Sequence, residues 1–194
     1  MTSLPDERTL PPLRVSNTIR LEPLRYAHVP DIFRLIDQNR THLRRWLPFV
    51  DHTRHERDTR AFVSSVLRIP PERREYIALI RHEEAAAGLI GTRDTDRQNR
   101  KTEVGYWLAA DQEGQGLMLR AVQTLLGYLF ERAEINAVRI RCGLSNDRSR
   151  AIPQKLGFHL EGIERNGELL NGQFHDLEVW SLLRREWPVD ANRR

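Results

Sequence analysis

The residues of this chain best arranged for chemistry are Gln112, Glu113, Gly114, Gln115, Gly116, Leu117 and Met118, a glycine-bearing stretch between an alternating apolar run and a helical one. A turn from a strand end to a helix start presents backbone N–H groups that no helical carbonyl satisfies, at the positive end of the helix dipole. Such a turn can hold a phosphate. Glycine at positions 114 and 116 lets the backbone approach a ligand where a Cβ would collide. The stretch is not a Walker loop, because no Lys-Ser/Thr pair follows Gly116, nor a dinucleotide fingerprint, because a third glycine is missing from the required place. By itself it is equally compatible with a plain strand–helix connection. Other reactive residue types are less well placed. Cys142 falls on the inward side of an alternating run with no histidine-rich context, and reads as a small buried hydrophobe. His52 and His55 stand three apart, a spacing that metals use, but no cysteine or acidic cluster completes a site, so no metal is expected.

The elements that must position this stretch follow from periodicity. Residues 102–108 alternate, with Val104, Tyr106 and Leu108 on one face and Gly105 and Trp107 on the other. After the glycines, Met118, Ala121, Val122, Leu125, Leu126, Leu129, Phe130 and Ala133 recur at spacings of three and four, which predicts a long helix with one apolar side. Residues 137–144 alternate again, Val138, Ile140, Cys142 and Leu144 inward, Arg139 and Arg141 outward. A short helix is expected over 147–155. Asn171-Gly172 is the dipeptide of a type I′ turn, so 157–170 and 173–183 should pair as a hairpin. In the first half, strands are expected at 18–24, 75–81 and 87–93. Helices are expected around Ile32–Ile36, over 41–49 and over 58–69, the last stopped by Pro70-Pro71. This order predicts a mixed α/β sheet with helices on both faces. Residues 1–14 read as a loose, proline-broken tail, 15–188 as one domain, and 189–194 as a second tail.

Composition narrows the classes of function. The chain has 194 residues, 39% apolar and 30% charged, ordinary for a globule with one core. No apolar run approaches the roughly 18 residues of a membrane helix, and the N-terminus lacks a signal-peptide core. One cysteine excludes an intrachain disulfide and fits the cytoplasm. The net charge of +4 comes from 31 basic residues, all arginine except Lys101 and Lys155, interleaved with 27 acids along the whole chain. With no basic arm, zinc-finger spacing or aromatic RNA-binding pattern, nucleic acid is not the expected partner.

The decisive pattern is a combination. Gly105-Tyr106-Trp107-Leu108, then Gly114-Gln115-Gly116-Leu117-Met118, then 141–152 with its Ser145-Asn146-Asp147-Arg148-Ser149, then Lys155-Leu156-Gly157-Phe158 and Glu161-Gly162, closely resembles the Gcn5-related N-acetyltransferases. Within them it is similar to the RimJ/RimL branch, which acetylates the N-termini of ribosomal proteins. The resemblance runs from about Ile19 to Trp187 and includes Asn39-Arg40 and the stretch from His42 to Pro48. It implies a central, mostly antiparallel sheet in which the strands at 102–108 and 137–144 run parallel and splay apart. The arm of acetyl-CoA would lie between them, past Trp107 and Leu108, with its pyrophosphate on Gly114 to Met118 and its arm against Asn146. Arg150 either lies near the coenzyme phosphates or is a solvated helix residue.

For catalysis the resemblance implies Glu168 as general base and Ser149 as the acid that protonates the departing thiolate. Read alone, a glutamate near a hairpin is a solvated side chain and a serine early in a helix is a cap. Trp46 either lines the acceptor cleft or anchors its helix. One departure stands out, since the family loop usually carries Gln or Arg where this chain has Glu113. The expected acceptor is the α-amino group of a protein N-terminus, a ribosomal protein by resemblance. The rivals are a small amine, such as a polyamine, aminoglycoside or aminoacyl compound, and a non-catalytic acyl-CoA-binding module. Homodimerisation stays open.

Overall fold

Alternating apolar residues build strands wherever the sequence expected them. A computed structural model describes residues 10–188 and shows β1 (Leu13–Arg14), β2 (Ile19–Pro23), β3 (Ile77–His82), β4 (Ala85–Asp96), β5 (Lys101–Leu108), β6 (Ala137–Gly143), β7 (His159–Leu170) and β8 (Gln173–Leu183). They form one sheet in the order β1-β2-β3-β4-β5-β6-β8-β7. Every neighbouring pair is antiparallel except β5 and β6. Among the described residues five α-helices accompany it: α1 (Val29–Gln38), α2 (Arg40–Leu43), α3 (Glu56–Leu67), α4 (Leu117–Glu131) and α5 (Asp147–Lys155).

The two sheet faces carry separate cores. On one face, α4 lays Leu117, Met118, Ala121, Val122, Leu125, Leu126, Leu129 and Phe130 against Val104, Val138, Ile140 and Cys142. Each fully buried leucine of that stripe contributes roughly 1.5–3 kcal/mol relative to exposure. On the other face, Val29, Ile32 and Ile36 of α1 and Val63 and Val66 of α3 cover Leu79, Leu89 and Trp107. No helix of the described residues is long and apolar enough to cross a membrane.

Several boundaries differ from expectation. Leu13 and Arg14 pair with Leu21 and Arg20, so the last residues of the expected tail are a sheet edge. Leu10, Leu13 and Val15 pack on the core, and the Tyr76 hydroxyl donates to the Pro11 carbonyl at 3.1 Å. Apolar contact thus outweighs the prolines once β2 offers an edge to pair with. Residues 1–9 and the expected tail at 189–194 lie outside the described residues. Leu144 is 38% exposed and not inward, because β6 ends at Gly143 and the chain turns there. Ala133 lies beyond α4, and the helix expected over 41–49 is only the turn of α2 followed by a 3₁₀ segment at Pro48–His52. Asn171 and Gly172, with φ of 52° and 79°, make the left-handed pair a type I′ turn requires.

Candidate active site

The site lies where the sheet opens. β5 and β6 pair only at Lys101–Ala137, Thr102–Val138 and Glu103–Arg139. Beyond that, β5 stays with β4 as far as Leu108, and β6 stays with β8 as far as Gly143. The wedge between them is bordered by a β5 edge that has no strand partner after Glu103 among the described residues. Backbone N–H and C=O groups of that edge are therefore available to something other than a strand. At the open end Trp107 and Leu108 take opposite faces, Leu108 toward α4 and Trp107 toward α1.

A glycine-bearing turn into α4 stands at this open end. Gly114 and Gly116 have φ of 77° and 69°, values that side-chain-bearing residues rarely adopt. A Cβ at either would meet nothing within 4 Å, so the space above both is open for an incoming group. No side chain caps the start of α4 at Gly116. Leu117 and Met118 bury their side chains, so only their backbone can meet a ligand there. Gln115 is exposed, and its amide donates to the Asp111 carbonyl at 3.3 Å. Loop and wedge together fit a long, thin molecule with a phosphorylated end.

On the α4 face of the wedge sits Ser149. Asn146 caps α5, its Oδ1 accepting the Ser149 N–H at 3.2 Å. The cap is therefore Asn146, and the Ser149 hydroxyl has another use. It donates to the Tyr106 hydroxyl at 3.4 Å, while that phenol donates to the Ser149 carbonyl at 3.2 Å. Burial pushes the Tyr106 pKa far above its usual value, so the phenol stays protonated. Tyr106 looked in the sequence like one more inward strand residue, and no spacing marks it as part of a site. Cys142 is buried, and burial with Glu178 beside it pushes its thiol up to about 11. Thiolate is scarce there near neutral pH, as its inward position suggested. Arg150 commits its guanidinium to Glu178 at 3.1 Å, to Asp147 at 3.4 Å and to the Leu144 carbonyl. It ties α5 to β8 instead of standing as a solvated side chain.

Glu168 lies on the opposite face. Leu177 pairs with both Gly143 and Glu164, and His175, two residues on, pairs with Glu168. Residues two apart on a strand share a face, so Glu168 shares one with Gly143 and with Arg141. A Cβ on Gly143 would sit 3.7 Å from the Trp46 ring, which puts Trp46 over the mouth of the wedge on that side. Around Glu168 runs a charge network in which buried Glu103 holds Arg93 and, at 2.8 Å, Arg141, and Arg141 also reaches Glu164 at 3.0 Å. Burial raises the Glu168 carboxyl pKa above its ordinary value, opposed by Arg93, Arg141 and His175. A half-buried carboxyl with a raised pKa is well suited to take a proton.

Residues 39–46 roof this face and connect everything around it. The Asn39 carbonyl oxygen of the side chain accepts the Ala110 N–H at 2.9 Å, and the Arg44 carbonyl accepts from Asn171 at the hairpin tip at 3.1 Å. His42 lies 3.2 Å from Glu113. Glu113 also pairs with Arg148 from the first turn of α5. The acid in the glycine loop is thus not left bare. Burial, and then Arg148 and Arg45, hold the His42 pKa below its usual value, so Arg148 supplies the neutralising charge. His42 and Arg148 lie inside the resembling motifs, but only the fold brings them to Glu113.

Comparison with known proteins agrees with this architecture. The model of the family described as "Acetyltransferase (GNAT) domain" matches residues 18–159. The chain belongs to this acetyltransferase family. It is 35% identical over 180 residues to a Bacillus subtilis protein named "Putative ribosomal N-acetyltransferase YdaF", covering 90% of this chain and 96% of that one. It is 27% identical to the ribosomal-protein-serine acetyltransferase of Escherichia coli, covering 87% and 94% of the two chains. Among solved structures, RimL, a ribosomal L7/L12 α-N-protein acetyltransferase in complex with coenzyme A, superposes with a TM-score of 0.86 at 26% identity, over 89% of this chain and 98% of that one.

Proposed function

We propose that this protein transfers an acetyl group directly from acetyl-CoA to the α-amino group of a protein N-terminus, with a ribosomal protein as acceptor and the cytoplasm as the place of reaction. One observation supports the reading: Tyr106 of β5 holds Ser149 on one face of the sheet, while Glu168 shares the other face with Arg141 of β6. Acetyl-CoA supplies an acetyl thioester. Glu168 takes the proton that the amine must lose as its nitrogen bonds to the carbonyl carbon. A backbone N–H of β5 near Trp107 or Leu108 steadies the charge that builds on the carbonyl oxygen. Ser149 gives its hydroxyl proton to the sulfur as the carbon–sulfur bond breaks, and solvent reprotonates the serine. Gly114 to Met118 hold the pyrophosphate, Asn146 contacts the arm, and Trp46 lines the acceptor side. The names of the relatives support the acceptor.

Acceptor choice has a chemical basis. An α-amino group, with a pKa of about 7.7–8.0, is roughly a tenth to a fifth neutral at pH 7, whereas a lysine near 10.4 is neutral to about four parts in ten thousand. A lone carboxylate suits the easier deprotonation. A peptide with a free N-terminus should therefore turn over faster than the same peptide N-capped and bearing lysine, by roughly several hundredfold. Thiol release with the two peptides measures this, and a faster capped lysine peptide would overturn the α-amine assignment.

The Glu113–Arg148 pair bears on coenzyme affinity. If Arg148 cancels Glu113 beside the pyrophosphate, Arg148→Ala should weaken acetyl-CoA binding by roughly 3- to 10-fold at low ionic strength, and less at high salt, because Arg148 is exposed. Glu113→Gln should bind at least as tightly as the parent. In the Glu113→Gln background, Arg148→Ala should then cost little. Calorimetry on the four proteins settles it, and equal losses in both backgrounds would mean that Arg148 acts on the phosphates by itself.

A further inference from the structure

The hairpin that carries Glu168 is out of simple register. Glu164 pairs with Leu177, yet two residues along β8 it is Glu168, four residues along β7, that pairs with His175. β7 thus holds two surplus residues within 165–167, which loop out of the ladder as a bulge. Three features hold it. Asn166 takes a left-handed φ of 53°, which asparagine tolerates better than most residues. Its N–H donates to the Asp176 carboxylate at 2.8 Å across the hairpin. Gly167 approaches β8 so closely that a Cβ would lie 3.1 Å from the Leu177 side chain and 3.2 Å from the Glu164 carboxyl carbon. If the two surplus residues moved from the bulge to the tip, replacing the Asn171-Gly172 turn by a four-residue loop over 169–172, residue 166 would face His175 and Glu168 would face Gln173, about 6.6 Å farther along β8. That is away from Arg93, Arg141 and Glu103, the groups that now surround it.

We propose that Asp176 is a positioning residue for Glu168: by accepting the Asn166 N–H it locks the β7 bulge in place, so that the surplus residues do not pass into the turn and the glutamate stays opposite His175, beside Arg141 and Glu103. The inference rests on the base role proposed above for Glu168. Asp176 itself need not touch the acceptor or the coenzyme. Its carboxylate oxygen does the work as a hydrogen-bond acceptor, so an amide oxygen in the same place should serve nearly as well.

The test uses the full-length protein, acetyl-CoA and an acceptor peptide with a free N-terminus. Asp176→Ala should lower kcat at least tenfold with the KM for acetyl-CoA within twofold of the parent. Asp176→Asn should retain kcat within about threefold. A second readout separates positioning from general loosening. As Glu168 slips toward solvent its burial lessens, so the acid limb of the kcat/KM–pH profile should move to lower pH in Asp176→Ala and stay put in Asp176→Asn. Arg93, Arg141 and His175, which favour the carboxylate, and Glu103, which opposes it, face Glu168 from β4, β6, β8 and β5. Asp176→Leu, similar in outline but without an acceptor, carries the same expectation should the alanine variant not fold. Unchanged kcat and acid limb in the variant without an acceptor, or an asparagine variant as impaired as alanine, would overturn the proposal. Glu168→Gln is measured alongside. If it keeps full activity the base reading itself fails, whereas a damaged Glu168→Gln beside a fully active Asp176→Ala removes the positioning role alone.

Discussion

Glu168→Gln is expected to lower kcat at pH 7 by about 10²–10⁴-fold, the usual contribution of a general base, while acetyl-CoA binding stays near that of the parent. Glutamine keeps the shape and one acceptor oxygen, replaces the other oxygen with an N–H donor group, and removes the basicity and the charge. The pH dependence makes the expectation specific. Burial raises the Glu168 carboxyl pKa above its ordinary value of about 4.3. A base works when it is ionised, so parent activity should fall as pH drops through that raised pKa, producing an acid limb at higher pH than a fully solvated glutamate would give. In the glutamine variant this limb disappears, and the remaining rise follows the amine's own ionisation, near 7.7–8.0 for an α-amine. Above that range free amine no longer needs a base, so the deficit should shrink steadily. A deficit that stays constant from pH 6 to pH 9 would mean that Glu168 is a structural member of the Glu103–Arg141 network and not the proton acceptor.

Much of the architecture was legible because it rests on local periodicity. The apolar stripe of α4, the alternation of β5 and β6 and the Asn171-Gly172 turn each declare themselves within a few residues. The opening between β5 and β6 is not local, and came only from the resemblance that the motifs carried. The same division holds in the site. Gly114 and Gly116 could be read from the chain, since an unusual φ leaves a compositional mark. Tyr106 could not, because a tyrosine that orients a serine and one that fills a core look the same in an alternating strand. Nor could the Glu113–His42–Arg148 cluster, whose members come from three separate elements. Arg150 and Arg148 lie two apart in one helix, and only the fold shows that the first reaches back to Glu178 while the second reaches the loop. The β7 bulge was not legible, because the stretch 157–170 was expected to run as one strand and Asn166-Gly167 lies inside it.

Ser149→Ala is the other large expected effect. The simplest rival to a chemical role was helix capping, and the geometry separates the two. Capping runs through the Ser149 N–H to the Asn146 side chain, an interaction that alanine preserves in full. What alanine removes is the hydroxyl, whose partner is the Tyr106 phenol. Loss of capping cannot therefore be the reason for any deficit. If the hydroxyl protonates the departing sulfur, kcat should fall by roughly 10- to 100-fold, toward the low end for general acids, because water can replace part of the function and a thiolate leaves readily. The KM for acetyl-CoA should change less than kcat, since the proton is needed only as the carbon–sulfur bond breaks. Tyr106→Phe should produce a smaller loss, because the phenol orients the hydroxyl and holds the Ser149 carbonyl without meeting the sulfur. Steady-state rates of thiol release for both variants, with thermal melts to confirm the fold, measure all of this. A Ser149→Ala enzyme within twofold of the parent kcat would take the serine out of the reaction and leave the leaving sulfur to solvent.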